Sequence, residues 1–216
     1  LPFLSNARTY YINPSSDSTK ELGTIGSPWR SLALVNSAMK MFKPGDSILL
    51  KRGELFFERL HITCSGTDAA PIVFSVYGTA AASPVFLCKG EGRPEAIELL
   101  KCRYVIIEGF DITDDYLSAD EHNKTANIIN GIHTTESDFI SIRKMAISLV
   151  GTAISINGNN NRVQDCDIRS LKLIRNTVGG SDDYGAEAIV INGADNTVSD
   201  CFFKDCWSNS YDYTYY

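Results

Sequence analysis

The sequence predicts an all-β chain, a parallel β-helix in which short strands coil and each coil stacks on its predecessor. Three observations predict it. First, four segments repeat: "AIELLKCRYVIIEGFDIT" from Ala96, "GIHTTESDFISIRKMAIS" from Gly131, "AISINGNNNRVQDCDI" from Ala153 and "AIVINGADNTVSDCFF" from Ala188. Superposed, they align five columns: Ile97/Ile132/Ile154/Ile189, Leu99/Thr134/Ile156/Ile191, Ile107/Ile142/Val163/Val198, Phe110/Met145/Cys166/Cys201 and Ile112/Ile147/Ile168/Phe203. Nineteen of those twenty positions are apolar, where a 44% hydrophobic composition gives about nine, so the columns are a buried pattern and not chance. Second, the apolar residues come in i, i+2 pairs, the period of a strand with one buried face. Third, the breaks between pairs carry Gly, Asn or Lys but no hairpin signal, so the strands coil instead of folding back. A coil runs about 22 residues, from Ile132 to Ile154.

The elements follow in order. Residues 1–45 read as an N-terminal strand and a capping helix, and residues 46–216 as coils of a single β-helix domain. Ser27-Pro28 signals a helix start with Pro at the first helical position. Trp29, Leu32, Val35 and Met39 then recur at helical spacing, and "KPGD" from Lys43 to Asp46 ends the helix in a turn. Such an amphipathic helix covers the open first coil. The strand "SILLKRGELFF" follows, then the coils. Asn157 and Asn192 fall at one bend of successive coils, where stacked amides can bond the turn backbone. Cys166 over Cys201 reads as an inward stack, and all six cysteines, Cys64, Cys88, Cys102, Cys166, Cys201 and Cys206, as small buried hydrophobes without C-x-x-C metal spacing. After Cys206 the sequence shows no second capping element. It is therefore expected to be the N-terminal part of a longer β-helix, or to have its open end covered by further coils or a partner.

A net charge of −6 with no basic block argues against nucleic acid or an anionic membrane surface as partner. No apolar run approaches the ~20 residues that cross a bilayer. No charged-then-apolar leader opens the chain, as expected if a secretion signal was removed or never present.

The stretch "YYINPSSDSTKELGTIGSPWRSLALVNSAMKMFKPGDSILLKRGELF" resembles the N-terminal cap and first coil of secreted right-handed parallel β-helix proteins of the pectin-lyase-like superfamily. The aromatic Tyr10–Tyr11, "SPWRSL" and "KPGDSILLKRGE" carry the resemblance, and with the later coils it spans most of the chain. It implies a right-handed β-helix, a secreted, periplasmic or cell-surface location, and cleavage of a polysaccharide or oligosaccharide by hydrolysis or by β-elimination. Of the N-T-D, D-D and G-H-G of polygalacturonases, "SDDYG" supplies the D-D alone.

The chemistry gathers on two insertions. From Ile112 to Ile132 and from Ile168 to Ile189 the chain carries extra residues, and both insertions leave the same corner, after the third strand of a coil. Loops two rungs apart emerge ~10 Å from one another and would stand as one wall of a groove. The first brings Asp111, Asp114, Asp115, Tyr116, Asp120 and Glu121. The second brings Lys172, Arg175, Asp182, Asp183, Tyr184 and Glu187, and Asp167 shares the column of Asp111. Carboxylates on neighbouring turns can reach the ~5–10 Å separation of a glycoside-cleaving pair. Asp182, Asp183 and Glu187 lead as catalytic candidates, because the Gly-Gly-Ser before them allows close substrate approach. Tyr116 and Tyr184 could stack on sugar rings. His133, outward beside Glu98 of the coil below, could be a general base. Glycoside hydrolysis is the favoured reaction, since an acidic wall repels a uronate. A lyase would use Lys172, Arg175 or calcium held by Asp114 and Asp115 to neutralise the uronate. The alternatives are solvated loop charges, a structural calcium site, or a non-catalytic glycan-binding β-helix.

Overall fold

The computed structural model describes residues 7–87, 95–114, 130–174 and 184–206. It opens with β1 (Thr9–Ile12) and the single-turn-plus helix α1 (Leu32–Ser37), continued by a 3₁₀ turn at Met39–Met41. Coiling starts with β2 (Ser47–Lys51), β3 (Leu55–Phe56) and β4 (Leu60–Ile62). The next coils are β5 (Ile72–Tyr77), β6 (Val85–Leu87), β7 (Glu95–Leu100); β8 (Arg103–Glu108), β9 (Asp111–Thr113), β10 (Asn130–Thr135); and β11 (Asp138–Arg143), β12 (Ala146–Ser148), β13 (Thr152–Asn157). Then come β14 (Arg162–Gln164), β15 (Asp167–Arg169), the small hairpin β16 (Leu173–Ile174) with β17 (Tyr184–Gly185), β18 (Glu187–Asn192), β19 (Thr197–Ser199) and β20 (Phe202–Lys204).

Successive strands go to three different sheets. Seven strands stack in the order β1-β2-β5-β8-β11-β14-β19, six in the order β20-β15-β12-β9-β6-β3, and five in the order β18-β13-β10-β7-β4. Every pairing in these sheets is parallel, and the β16–β17 pair alone among the described strands is antiparallel. The predicted rows hold: Ile97, Ile132, Ile154 and Ile189 are consecutive register partners, joined below by Leu60. Ile97, Ile132 and Ile154 are wholly buried, each side chain contributing ~1.5–3 kcal/mol of apolar transfer. Thr134, the one polar member of the columns, is also fully buried; its Oγ1 accepts from the Asn157 backbone N–H at 2.9 Å and donates to the Asn157 carbonyl. In the last coil the same rows come to the surface, with Ile191, Val198 and Phe203 exposed.

The cap departs from its sequence reading. The helix begins at Leu32 with Ser31 as its N-cap, the hydroxyl accepting from the Leu34 N–H, and not at Pro28. Trp29 is instead held in extended backbone, bridging Ile12 and stacking on Tyr10 at 5.2 Å, with Phe42 edge-on to Tyr10. The large aromatic contact at the open end outweighs one more helical turn. The helix shields the exposed edge of β4: Asn36 accepts from the His61 N–H and donates to the Arg59 carbonyl, both at 2.9 Å. "KPGD" is a turn as expected, pinned by buried Asp46, whose carboxylate accepts from the Lys43 and Arg8 backbone.

The asparagine bend is also shifted. Asn157 and Asn192 are register partners but exposed. The buried amide is Asn161, which accepts from the Ile140 N–H at 2.8 Å and donates to the Ser137 carbonyl at 3.0 Å, while Asn196 of the next coil accepts from its backbone N–H. A corner that turns from the five- to the seven-stranded sheet leaves backbone groups facing inward, and these amides satisfy them. Gly158 makes the close stacking possible: at φ +149 a Cβ would lie 1.8 Å from the Ser137 carbonyl oxygen.

Among the described cysteines, Cys64, Cys102, Cys166, Cys201 and Cys206 are free thiols, and Cys88 lies outside the described residues. Burial pushes the Cys64, Cys102 and Cys166 thiols up to about 12. Among the described residues no helix is long and apolar enough to cross a membrane.

Two outcomes follow from this packing. Asn161→Ala is expected to cost about 2–4 kcal/mol in denaturant unfolding by stranding buried backbone groups, whereas Asn157→Ala costs no more than ~0.5 kcal/mol. A thiol reagent at neutral pH should leave Cys64, Cys102 and Cys166 unmodified until the chain is unfolded, as read by mass spectrometry of digested peptides.

Candidate functional site

Both long insertions do leave one corner, after β9 and after β15, where the six-stranded sheet passes to the five-stranded one. The outward faces of these two sheets are therefore the surfaces that the loops border, and each carries a row of polar side chains.

On the six-stranded sheet, register places Val85, Asp111, Ala146, Asp167 and Phe202 in one outward row, with Leu87, Thr113, Ser148, Arg169 and Lys204 in the next. Strand alternation sets this: Ile112, Ile147 and Ile168 face inward, so their neighbours on either side face out. Asp111 and Asp167 stand two rungs apart, ~10 Å between backbones, with only the Ala146 methyl between them. Their environments differ in sign. Burial pushes the Asp111 carboxyl above its ordinary value, and the Ser83 hydroxyl and the Arg52 charge pull it back only in part. The Arg169 guanidinium, hydrogen-bonded to both oxygens of Asp167, holds that carboxyl below its ordinary value. Phe202 presents an exposed ring at the end of the row, with the Arg169 guanidinium 5.0 Å from its centroid. Ser148 donates to Thr113 at 3.1 Å in the neighbouring row.

On the five-stranded sheet the outward row is His61, Glu98, His133, Ser155 and Val190. The expected neighbour relation of His133 and Glu98 holds in register, but their hydrogen bond does not form. The Glu98 carboxylate turns the other way, to His61 Nδ1 at 2.5 Å and to the Arg59 guanidinium, and His133 Nδ1 is buried without a hydrogen-bond partner. Arg59 also holds Glu95 at 3.1 Å, so one guanidinium lies between two carboxylates and draws Glu98 towards β4. Burial, then the Arg59 charge, keep the His61 imidazole below its ordinary value, with Glu95 opposing. Facing the Glu98 carboxylate, His61 Nδ1 carries a proton and donates it to this bond.

The other predicted residues are spread along the corner. Glu187 begins β18, exposed, its Oε2 accepting from Thr152 at 3.1 Å; it lies two strands from His133 on the five-stranded sheet and not beside the Asp111–Asp167 row. Lys172 sits at the root of the second insertion, where its N–H donates to the Val150 carbonyl and its carbonyl accepts from Ala186. Asp114, at the root of the first insertion, is wholly buried; Asp115, its expected partner in a calcium site, lies outside the described residues. Tyr184 lies in β17, while Asp115, Tyr116, Arg175, Asp182 and Asp183 lie outside the described residues. Sequence reasoning placed Asp111 and Asp167 in one column but passed over Arg52, Ser83, Arg59 and Glu95. The i, i+2 spacing of Asp167 and Arg169 was the available signal for their pairing.

No family model matches the chain. Ninety residues, 40% of the chain, are 38% identical to a lacto-N-biosidase from Bifidobacterium longum subsp. longum, and they make up 6% of that protein. In fold, the chain is similar to the GH136 lacto-N-biosidase from Eubacterium ramulus, with a TM-score of 0.64 and 18% identity over 92% of this chain and 41% of that one. It is similar to a rhamnogalacturonan lyase, with a TM-score of 0.62 and 16% identity over 90% and 51% of the two chains. A pectate lyase gives 0.60 and 17% over 91% and 48%. The chain thus spans less than half of the lacto-N-biosidases it matches. Three stacked sheets, parallel register throughout the coils and these likenesses agree: the chain has the parallel β-helix fold of these solved structures.

Proposed function

We propose that this chain carries a glycoside-hydrolysing groove on the outward face of its six-stranded sheet, with Asp111 as general acid and Asp167 as general base or nucleophile. The observation that carries the reading is the pair itself: two outward aspartates on alternate rungs whose surroundings push their proton affinities in opposite directions. Glycoside cleavage needs one carboxyl protonated, to give its proton to the leaving oxygen, and one ionised, to attack or to activate water. Burial favours the first condition at Asp111, and Arg169 favours the second at Asp167. Side chains reaching across the gap over Ala146 span the ~5–10 Å separations that such pairs use. Phe202 offers an apolar ring against which a sugar face can lie, and the two insertions leave the chain after β9 and β15, strands of this same sheet.

The sequence likeness to a lacto-N-biosidase supports hydrolysis over elimination, and supports a neutral, lacto-N-biose-containing glycan as substrate. The −6 charge agrees, because an acidic surface disfavours a polyuronate. Such substrates are met outside the cell, so we place the protein there, secreted or at the surface. Glu187 and His133 border the same corner from the five-stranded sheet and stand as a second set of candidate groups.

Asp111→Asn and Asp167→Asn should each lower kcat on a lacto-N-biose glycoside by ~10²–10⁴-fold while the unfolding midpoint stays within a few degrees. Mass analysis should find two products whose masses sum to the substrate plus one water; products that sum to the substrate alone, with an unsaturated end, would replace hydrolysis by elimination. Activity equal to wild type in both variants, with loss in Glu187→Gln or His133→Asn, would move the site to the five-stranded face.

Activity requires Asp111 protonated, so it falls as pH rises through that raised value; it requires Asp167 ionised, so it falls as pH drops through that lowered value. The optimum therefore lies between the lowered Asp167 value and the raised Asp111 value. Arg52→Ala removes a cation that favours the Asp111 carboxylate, and should move the alkaline limb of kcat/KM to higher pH with the acid limb unchanged.

A further inference from the structure

A cleft of about 390 Å³ lies on the outward face of the seven-stranded sheet, away from the loop-bearing corner, in the size range of ligand sites. One wall is aromatic: Tyr104 and Phe139, on successive coils, stack at 4.7 Å between centroids and 10° between planes. Arg103 stands beside them, its guanidinium 5.3 Å from the Phe139 centroid and 6.0 Å from that of Tyr104. The polar groups of the cleft are Asp68, Asn160, Arg162 and Asp195, all exposed. None of these belongs to the proposed groove.

The backbone makes the aromatic pair notable. Tyr104, Phe139, Asn160 and Asp195 each precede by one residue the same inward position of four consecutive coils, and all four have left-handed φ, between +53 and +58. Asn and Asp tolerate that conformation; bulky aromatic residues rarely adopt it. Two coils therefore hold rings where the next two hold the residues that the corner favours, and the rings face outward into a cleft. No core packing explains them, since the inward neighbours Val105 and Ile140 fill the interior on their own. Left-handed φ recurs at other corners, at Lys101, Glu136, Lys144 and Leu149 among others, so the conformation belongs to the coil, and what sets this corner apart is its two stacked rings.

We propose that this cleft is a second glycan-binding subsite, distinct from the catalytic groove, that takes a neutral pyranoside. Stacked on one another, Tyr104 and Phe139 each keep one ring face free of the other, and such a face attracts the axial C–H groups of a sugar through their partial positive charge. Asp68 and Asp195 accept hydrogen bonds from hydroxyl groups, and Arg162 and Asn160 donate to ring and glycosidic oxygens. Asp68 and Asp195 are balanced by Arg162 and Arg103, so the cleft has no net positive charge with which to select a uronate. The choice of glycan as ligand class rests on the proposed function, but the cleft and its residues do not. A protein holding a glycan here, on a face other than the one that cuts, gains residence on a polymeric or surface-bound substrate by effective concentration.

The test titrates the chain with lacto-N-tetraose, cellotetraose and a galacturonate tetramer, by saturation-transfer NMR and calorimetry, in an Asp111→Asn background that blocks turnover. The expected result is saturable binding of a neutral tetrasaccharide with contacts to tyrosine and phenylalanine protons, weakened at least about tenfold by Tyr104→Asn with Phe139→Asn. These substitutions install the residue type that the next coil carries, so the fold should survive, as circular dichroism checks. The rim change Asp68→Ala gives a second reading that leaves the platform intact, with weakened binding expected. In the wild-type background the double variant should hydrolyse a short soluble glycoside at the normal rate. No saturable binding of either neutral tetrasaccharide, unchanged binding in the double variant, or preference for the galacturonate would overturn the proposal. Loss of hydrolysis in Asp111→Asn with binding retained separates this site from the groove.

Discussion

Everything in this molecule depends on one constraint: a coil of three short strands can bury its apolar residues only against the coil next to it. No strand has a facing sheet of its own, as a sandwich would provide. The inward side chains must therefore pile in rows, Ile on Ile along Ile97, Ile132 and Ile154, and the rows force parallel register on all three sheets at once. A slip of one residue would send a whole row to solvent, so the register is strongly specified wherever the rows are apolar.

Register inside dictates register outside. Because Ile112, Ile147 and Ile168 stack inward, the residues before them stack outward as Asp111, Ala146 and Asp167. Residues far apart in sequence thus become neighbours at rung spacing, and their separation is set by rung count and not by side-chain flexibility. The same logic generates the His61–Glu98–His133 row and the Tyr104–Phe139 platform. Rigid spacing of outward groups is what a stiff polymer of repeating sugars requires of a surface that binds it.

The corners carry their own demand. Turning from one sheet to the next leaves inward backbone groups that no ladder can satisfy, and the chain answers with buried Asn161, with Ser137, and with Gly158 where two coils come too close for a Cβ. At the N-terminal end, the edge of β4 is answered by Asn36 of the helix and the open apolar row by Tyr10, Trp29 and Phe42. These polar and aromatic devices fix where each coil ends, while the aliphatic rows fix how coils stack.

The sequence by itself determined the rows, the strand period, the loop-bearing corner and the column that joins Asp111 to Asp167, because all of these follow from i, i+2 alternation repeated at coil length. It did not determine which groups bond. Trp29 read as helical because its spacing to Leu32 and Val35 is helical, yet stacking on Tyr10 holds it extended. Asn157 and Asn161 sit in one run of polar residues, and only the direction of the turn buries the second. His133 and Glu98 are adjacent by register, but Arg59, the residue just before β4 on the neighbouring rung, takes the carboxylate to the other side. Opposite proton affinities at Asp111 and Asp167 arise from burial, from Arg52 and from Arg169 orientation. Periodicity is a property of neighbours along the chain; bonding partners and desolvation belong to neighbours in space, and the tertiary structure alone chose those.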